Sequence, residues 1–259
     1  MIIIKSEHEI ELMRQAGAVA GEILKELAGI IKPGVSTMEI DQFVSQSIKD
    51  QGMQAAFKGY HGYPASACVS VNQEVVHGIP DAKRKLKEGD IVSVDLGTIY
   101  KGYYSDAART YPVGQIDAAA QKLIDTTKES FFAGLTFCRP GFRLSDISHA
   151  IQERVEADGF SVVRDYVGHG IGQAMHEEPQ IPNYGPAGIG PRLVPGMALA
   201  IEPMVNEGDW QVETLSDNWT VVTCDGRRSA HYENTVVITE DEPLLLTVAD
   251  SGNISRGRR

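Results

Sequence analysis

The sequence repeats itself at a fixed distance, and this repeat constrains the fold more than any other feature. Residues 107 positions apart match at a turn, at a helix end and at a strand entry. The matching pairs are Pro33 and Pro140, Gly34 and Gly141, Ile40 and Ile147, Gly52 and Gly159, and Gly89 and Gly196. The same distance separates Asp95 from Glu202. Glycine is common in this chain, but one distance shared by such different contexts favours an internal duplication over coincidence.

Each half of the repeat predicts two helices followed by strands. A serine three positions before a glutamate, the spacing of a capping box, precedes helical apolar periodicity at Ser6 and again at Ser36. The second half predicts helices over about 118–134 and 145–159. Strands of the first half are predicted around 68–72, 91–96 and 100–111. Two such halves related by a pseudo-twofold axis would each place one acid of the Asp95–Glu202 pair on a strand.

The domain organisation follows from the lack of a linker. No stretch rich in proline and serine separates the halves, so we expect residues 1–259 to form one compact catalytic domain. Its repeat halves would cover about 1–112 and 113–250, and a short basic tail at 251–259 is predicted to be disordered. With 42% hydrophobic residues, the 259-residue chain is long enough for a substantial core.

Composition excludes several classes of protein. The formal net charge of −11 disfavours a general nucleic-acid binder. The three cysteines are widely spaced and form no CxxC pair, so a disulfide framework or a zinc ribbon is not expected. No apolar run approaches the roughly 20 residues of a membrane helix, and the apolar start is too short for a signal peptide. We therefore expect a cytoplasmic protein without a membrane partner.

Five side chains with metal-binding chemistry lie in or beside predicted strands: Asp95, Asp106, His169, Glu202 and Glu233. Burying an unpaired carboxylate is very costly, so acids in apolar strands call for a shared positive partner. Side chains two apart share a strand face, and a hairpin at Lys101-Gly102 would bring Asp95 and Asp106 together. We interpret the set as ligands of a divalent metal pair.

The donor types leave the metal and the reaction open. Carboxylates with one imidazole suit Mn(II), Fe(II), Co(II) or Zn(II), and paired ions about 3.5–4 Å apart occur in aminopeptidases and phosphatases alike. Taken singly, each acid has a plainer interpretation. Asp106 would pair with Arg109, or Glu202 would be a strand-end charge capped by a backbone amide. Five such residues together favour the metal site.

Several motifs resemble those of type I methionine aminopeptidases. They are VNQEVVHGIP, VSVDLGTIYKGYYSDAART, YVGHGIGQAMHEEPQIPNYG, PGMALAIEPMV and SAHYENTVVIT, and the resemblance runs from the first helix to about Pro243. It implies the duplicated "pita-bread" fold of the α+β class, with two helix-helix-strand halves around a curved antiparallel sheet. It also implies removal of the N-terminal methionine from nascent polypeptides, with a preference for a small second residue, by attack of a metal-bridging hydroxide.

The resemblance assigns roles to the metal ligands. Asp106 and Glu233 would bridge two divalent ions. Asp95 would complete one site, while His169 and Glu202 would complete the other. Glu202 would also accept and donate the proton.

The resemblance also implies roles for residues that do not bind metal. His176 would stabilise the tetrahedral oxygen, and His77 would contact the amide nitrogen of the leaving peptide, so both are expected to be catalytic and substrate-binding. A lone histidine is more often a packing residue, but the HGIP and HEEP contexts weaken that interpretation. Expected walls of the methionine pocket are Tyr60, Tyr63, Cys68, Met175 and Trp219. Met175 stands where the family commonly has an aromatic residue, and Tyr63 has packing as an alternative role.

The sequence also suggests a subtype within the family and a set of partners. Without a Cys/His-rich extension, and with only 33 positions between His169 and Glu202, the chain resembles the short bacterial form. We expect a monomer that works on nascent polypeptides, in possible proximity to the ribosome. The alternatives are an Xaa-Pro peptidase of the prolidase kind, a metal-free amidinohydrolase on the same fold, and a non-enzymatic module that binds proteins or RNA.

Overall fold

Four helices frame the molecule, which is described from a computed structural model covering residues 1–249. The predicted basic tail at 251–259 lies outside the described residues. The helices are α1 (Glu7–Ile30), α2 (Thr37–Asp50), α3 (Ala118–Leu135) and α4 (Leu144–Ala157). Within the described part of the chain, no helix has both the length and the apolar character that crossing a membrane requires.

Local signals place the helix starts. The side chains of Ser6 and Ser36 each cap the backbone N–H three residues on, and the glutamates at those positions bond back to the serine N–H groups. Both predicted capping boxes are therefore present. Asp117 caps α3 in the same way through Ala120.

The strands of the first half pair around one long central strand. Strand β4 (Ile91–Tyr100) pairs antiparallel with β1 (Gln54–Ala55), β2 (Ala67–Val71) and β5 (Tyr103–Pro112). The predicted turn between β4 and β5 is present, with Lys101 and Gly102 both at positive φ. Strand β3 (Glu74–Val76) belongs to a separate sheet.

The strands of the second half are shorter and fall into two further sheets. These strands are β6 (Ser161–Val162), β7 (Gly168–Gly170), β8 (Glu177–Ile181), β9 (Ala198–Ile201), β10 (Met204–Asn206), β13 (Ser229–His231), β14 (Asn234–Val237) and β15 (Leu244–Leu245). One sheet has the order β15-β14-β9-β7-β8 and the other has the order β13-β10-β6. Strands β11 (Val212–Thr214) and β12 (Val221–Thr223) join β3 in a sheet of the order β11-β12-β3.

The duplication is visible in the strand register. In the first half Gln54 pairs with Ile99, and in the second Ser161 pairs with Asn206, so both partners are 107 positions further along. The bridge between Ser36 and Lys85 likewise recurs between residues 143 and 192. Two helix-helix-strand halves, as predicted, are therefore built on the same plan.

One break in the repeat lies after β10. Gly97 pairs with Asp106 in the first half, whereas its counterpart Met204 pairs with His231 in the second. The second half thus carries additional residues before its return strand, and these form β11 and β12. By register His231 occupies the position of Asp106, and Glu233 occupies the position of Ala108.

The helices and the candidate ligands lie on opposite faces of β4. Val92, Val94 and Leu96 belong to a buried apolar cluster with residues of α1 and α2, whereas Asp95 lines a cavity. A second cluster joins α3 and α4 to strands of the second half. The alternation predicted for β4 is thereby confirmed, because its apolar residues face the helices.

Candidate metal centre and active site

One cavity of about 240 Å³ contains all the residues that the sequence singled out. The five candidate ligands, His77, His176 and the five expected pocket residues all contribute to its lining. Six further residues line it without having been predicted: Phe57, His61, Val76, Tyr166, Val167 and Met204. Residues from both repeat halves therefore meet in a single site.

The candidate ligands come from five separate chain segments. Asp95, Asp106 and His169 lie in β4, β5 and β7, whereas Glu202 directly follows β9 and Glu233 directly precedes β14. Ligand atoms of Asp106, His169 and Glu233 all lie within 4.8 Å of one another. The His169 Nε2 atom is 3.8 Å from Asp106 Oδ2 and 3.7 Å from Glu202 Oε1.

Hydrogen bonds behind the cluster fix two of these residues. His169 Nδ1 lies 2.9 Å from the Gly170 carbonyl oxygen, and only a protonated Nδ1 can donate there. That bond leaves Nε2 with a lone pair aimed at the carboxylates, the usual arrangement of a metal-binding histidine. On β5, Thr235 Oγ1 accepts from the Asp106 N–H at 3.0 Å and donates to the Asp106 carbonyl at 2.9 Å.

Burial makes the charged state of the carboxylates costly. It raises the pKa of Asp95 to about 7 and that of Glu202 to about 8. Burial, followed by repulsion from neighbouring carboxylates, also holds the pKa of Asp106 and Glu233 well above the ordinary range. The facing imidazole gives no compensating charge, because burial and the nearby His176 lower the pKa of His169 to about 4.

The donor set fits divalent cations. Asp95 Oδ1 and Asp106 Oδ1 are buried, and neither has a hydrogen-bond partner among residues 1–249. Arg109 does not pair with Asp106 as the plainer interpretation required. Its guanidinium donates to the carbonyl oxygens of Ala108 and Glu233 and to Asn234 Oδ1. Clustered carboxylates, orphaned oxygens and one free imidazole nitrogen together meet the needs of hard or borderline ions.

The two candidate catalytic histidines stand at different sides of the cavity. The His176 ring lies 4.3 Å from that of His169, and its Nδ1 is 2.7 Å from the Tyr60 hydroxyl. Burial, with a smaller effect of His61, lowers the pKa of His176. His77 packs edge-on against Tyr166 and Trp219, and burial lowers its pKa to about 4. Both imidazoles are therefore neutral near pH 7.

The expected pocket residues form an apolar wall beside the cluster. Met175, Cys68 and Tyr63 are buried in one hydrophobic group, with Tyr60 and Trp219 packed against it. The Tyr63 hydroxyl donates to the carbonyl oxygens of Ala67 and Gly78, at 3.2 and 2.9 Å, so this residue has a packing role in addition to its place in the wall.

Sequence reasoning missed His231, which stands against the cluster. Its Nε2 is 3.6 Å from Glu202 Oε2, buried, and without a hydrogen-bond partner among the described residues. The internal repeat could have indicated His231, because His231 takes the register position of Asp106 in the second half. The additional residues that form β11 and β12 shift the spacing and conceal that equivalence.

Comparison with known proteins agrees with a metal site in this cluster. A model of the metallopeptidase family M24 matches residues 11–240. The chain belongs to metallopeptidase family M24. It is 56% identical over 250 residues to a methionine aminopeptidase of Clostridium acetobutylicum, an alignment covering 96% of this chain and 100% of that protein. The predicted resemblance is thereby confirmed.

Solved structures confirm the fold of this M24 metallopeptidase. The crystal structure of a Thermotoga maritima methionine aminopeptidase superposes with a TM-score of 0.94 at 50% identity, covering 96% of this chain and all of that one. A prolidase from Pyrococcus furiosus gives a TM-score of 0.77 at 25% identity, and 66% of its chain is covered. The pita-bread fold predicted from the motifs is therefore present.

Proposed function

We propose that this chain is a methionine aminopeptidase that removes the N-terminal methionine from nascent polypeptides, with a preference for a small second residue. The supporting observation is one cavity in which a buried Asp106–His169–Glu233 cluster adjoins a wall of sulfur and aromatic side chains. A flexible thioether fits such a wall, because sulfur–aromatic contacts are favourable by about 0.3–1.5 kcal/mol. The full-length relatives carry the same activity in their names.

We assign two divalent ions to the five clustered ligands. In the assignment that the resemblance implies, Asp106 and Glu233 would contact both ions, Asp95 would complete one site, and His169 and Glu202 would complete the other. When bound, such ions lower the pKa of water and polarise a carbonyl group. Co, Mn, Fe(II) and Zn all suit these donors, so cellular availability would select among them.

Glu202 is our candidate for proton transfer. Its carboxyl lies at the cluster, with Oε1 3.7 Å from His169 Nε2, so it stands beside the place where the ions would hold the attacking water. It would take a proton from the attacking water and deliver it to the departing amine. Glu202→Gln should lower kcat by about 10²–10⁴-fold, as loss of general acid–base catalysis does.

The two histidines would act on the substrate as neutral donors. If the Tyr60 hydroxyl donates to His176 Nδ1, the ring proton sits on Nε2, where it can stabilise the developing oxyanion. His77, held between Tyr166 and Trp219, would contact the amide nitrogen of the leaving peptide. Turnover of a His77→Ala variant near the wild-type rate would contradict that role.

Peptide cleavage after metal removal tests the function. The chelated protein is titrated with Mn(II), Fe(II), Co(II) or Zn(II) and supplied with Met-Ala-Ser, Ala-Pro or Gly-Pro. We expect metal-dependent release of methionine from Met-Ala-Ser and no comparable cleavage of the proline dipeptides. Preference for Ala-Pro would identify a prolidase, and fewer than one ion bound per chain after anaerobic loading would favour a binding module.

We further propose that residues 1–259 work as one catalytic domain, as a monomer in the cytoplasm, close to where chains leave the ribosome. The shared cavity supports the single domain, since ligands from both repeat halves line it. Light scattering on the purified protein would test the monomer, and a mass near twice the 28.2 kDa of one chain would contradict it.

A further inference from the structure

A buried ion pair joins the start of the chain to the loop that carries His176. Lys5 Nζ lies 2.5 Å from Glu177 Oε2, and the two side chains are only 3% and 6% exposed. Charged side chains are rarely buried to this degree unless they are paired. Neither residue belongs to the cavity lining, so the proposed chemistry does not use this pair directly.

The Lys5 end of the pair is fixed by the backbone around it. The Lys5 N–H donates to the Gly196 carbonyl at 2.8 Å, and the neighbouring Ile4 bridges to Met197. Lys5 Nζ also donates to the Ile3 carbonyl at 3.1 Å. The Lys5 backbone is therefore held by the turn that leads into β9, and the ammonium group is held by the Ile3 carbonyl.

The Glu177 end is fixed within the loop of residues 172–177. Glu177 Oε1 accepts from the Ala174 N–H at 3.2 Å, which closes the loop over Met175 and His176. Gly172 lies directly against the pair, since a Cβ there would be 2.5 Å from Lys5 Cε. One face of the loop thus contacts the pair, while Met175 and His176 line the cavity.

A second chain of hydrogen bonds ties the same loop to α1. Gln173 Nε2 donates to the Tyr103 hydroxyl at 2.8 Å, and that hydroxyl donates to Glu9 Oε1 at 2.8 Å. Residues before and at the start of α1 are therefore linked to the loop at two points, directly through Lys5 and indirectly through Tyr103. Both contacts are remote in sequence, so they form only in the folded chain.

We propose that Lys5 is a positioning residue that holds the 172–177 loop so that His176 keeps its place beside His169 and Tyr60. This inference rests on the proposed function, because it gives His176 the role stated there. Without the ammonium, the buried Glu177 carboxylate loses its charge partner and turns toward water, carrying the adjacent His176 with it. A displacement of about 1 Å in a catalytic group can cost about 10²-fold in rate.

The test is a double-mutant cycle on metal-loaded protein with Met-Ala-Ser as substrate. We expect Lys5→Met to lower kcat by about 10–100-fold with little change in KM. In a His176→Ala background the same substitution should change kcat by less than about twofold, since the residue it acts through is gone. The control is Lys85→Met, which removes an exposed ion pair with Glu39 and should leave kcat unchanged.

Hydrogen exchange gives a readout that does not depend on turnover. Amides of residues 172–177 should exchange faster in Lys5→Met than in the wild type, while those of β4 should not change, and Lys5→Arg should restore part of the protection. Equal exchange in the loop, or an equal loss of kcat in both backgrounds, would overturn the proposal. If wild-type protein fails to cleave Met-Ala-Ser, the proposed function fails, while the exchange result still decides whether Lys5 holds the loop.

Discussion

Tyr60 and Tyr111 make similar hydrogen bonds in different surroundings. The Tyr60 hydroxyl contacts His176 Nδ1 at 2.7 Å inside the cavity. The Tyr111 hydroxyl donates to the Leu24 carbonyl at 2.6 Å in the core beneath α1. One bond orients a proposed catalytic group, and the other joins a helix to a strand. Removing each hydroxyl should therefore affect different properties of the protein.

We predict that Tyr60→Phe lowers kcat/KM for Met-Ala-Ser and leaves the free energy of unfolding nearly unchanged. A hydrogen bond contributes about 1 kcal/mol, which corresponds to a roughly fivefold fall in rate. Tyr111→Phe should lower the free energy of unfolding by about 1–3 kcal/mol, since a buried carbonyl loses its donor, with normal kcat/KM. Steady-state kinetics and urea unfolding measure both, and the reverse pattern would refute the orienting role of Tyr60.

At the level of residues, the sequence indicates polar groups that stand in apolar segments. It does not indicate contacts between side chains that are far apart in sequence. Asp95 and Glu202 were recognisable as acids in apolar strands related by the repeat. The contact of Tyr60 with His176 spans 116 positions, and that of Lys5 with Glu177 spans 172. No spacing rule covers such distances, because the folded chain alone brings these side chains together.

Helix α1 shows how a later segment determines which substitutions an element tolerates. The chain after β15 crosses α1 closely, and an added Cβ at Gly17 would lie 2.3 Å from the Leu246 carbonyl oxygen. Gly29, near the end of the same helix, has no atom within 4 Å of such a Cβ. Packing therefore requires glycine at Gly17, and at Gly21 against Thr247, whereas Gly29 only adds backbone freedom to the unfolded chain.

We predict opposite effects of alanine at Gly17 and Gly29. Gly29→Ala should raise the free energy of unfolding by about 0.5–1 kcal/mol, because alanine favours the helix and restricts the unfolded chain. Gly17→Ala should lower it by about 1–3 kcal/mol or more, since the backbone of the crossing segment must move. Urea denaturation measures the free energy of unfolding of both variants, and each variant is the control for the other. Similar free energies for the two would contradict the close approach of the Leu246 backbone to Gly17.

At the level of elements, the starts of α1 and α2 and the bounds of α3 and α4 were predicted to within two residues, because capping boxes and glycine ends are local signals. Strands β11 and β12 were not predicted. They interrupt the repeat, they are three residues each, and β12 pairs with the distant β3 as well as with β11. Their connection carries Trp219 to the cavity, so part of the pocket wall comes from a segment that interrupts the repeat.

Across the whole molecule, the buried carboxylates oppose folding as long as no cation balances them. In the unfolded chain Asp and Glu ionise near their ordinary pKa values of 3.8 and 4.5, whereas burial raises the pKa of Asp95 to about 7 and of Glu202 to about 8. Between these limits the folded metal-free chain binds more protons than the unfolded chain. Its stability is therefore greatest at low pH within this range and falls as pH rises through the folded values.

We predict that chelated protein loses stability between pH 6.5 and 8.0, by up to about 1.4 kcal/mol per pH unit for each carboxyl that titrates there. Bound divalent ions replace those protons, so metal-loaded protein should show a weaker dependence, and the gain in Tm on metal addition should grow with pH. Glu202→Gln should weaken the pH dependence of the chelated form by removing one such group.

Thermal unfolding of the chelated and metal-loaded forms at pH 6.5 and 8.0 measures this dependence. Calorimetry in buffers of different ionisation enthalpy should detect protons released on metal binding at pH 7. A chelated protein that gains stability toward pH 8.0, with no proton release, would show that the carboxylates do not lie buried together.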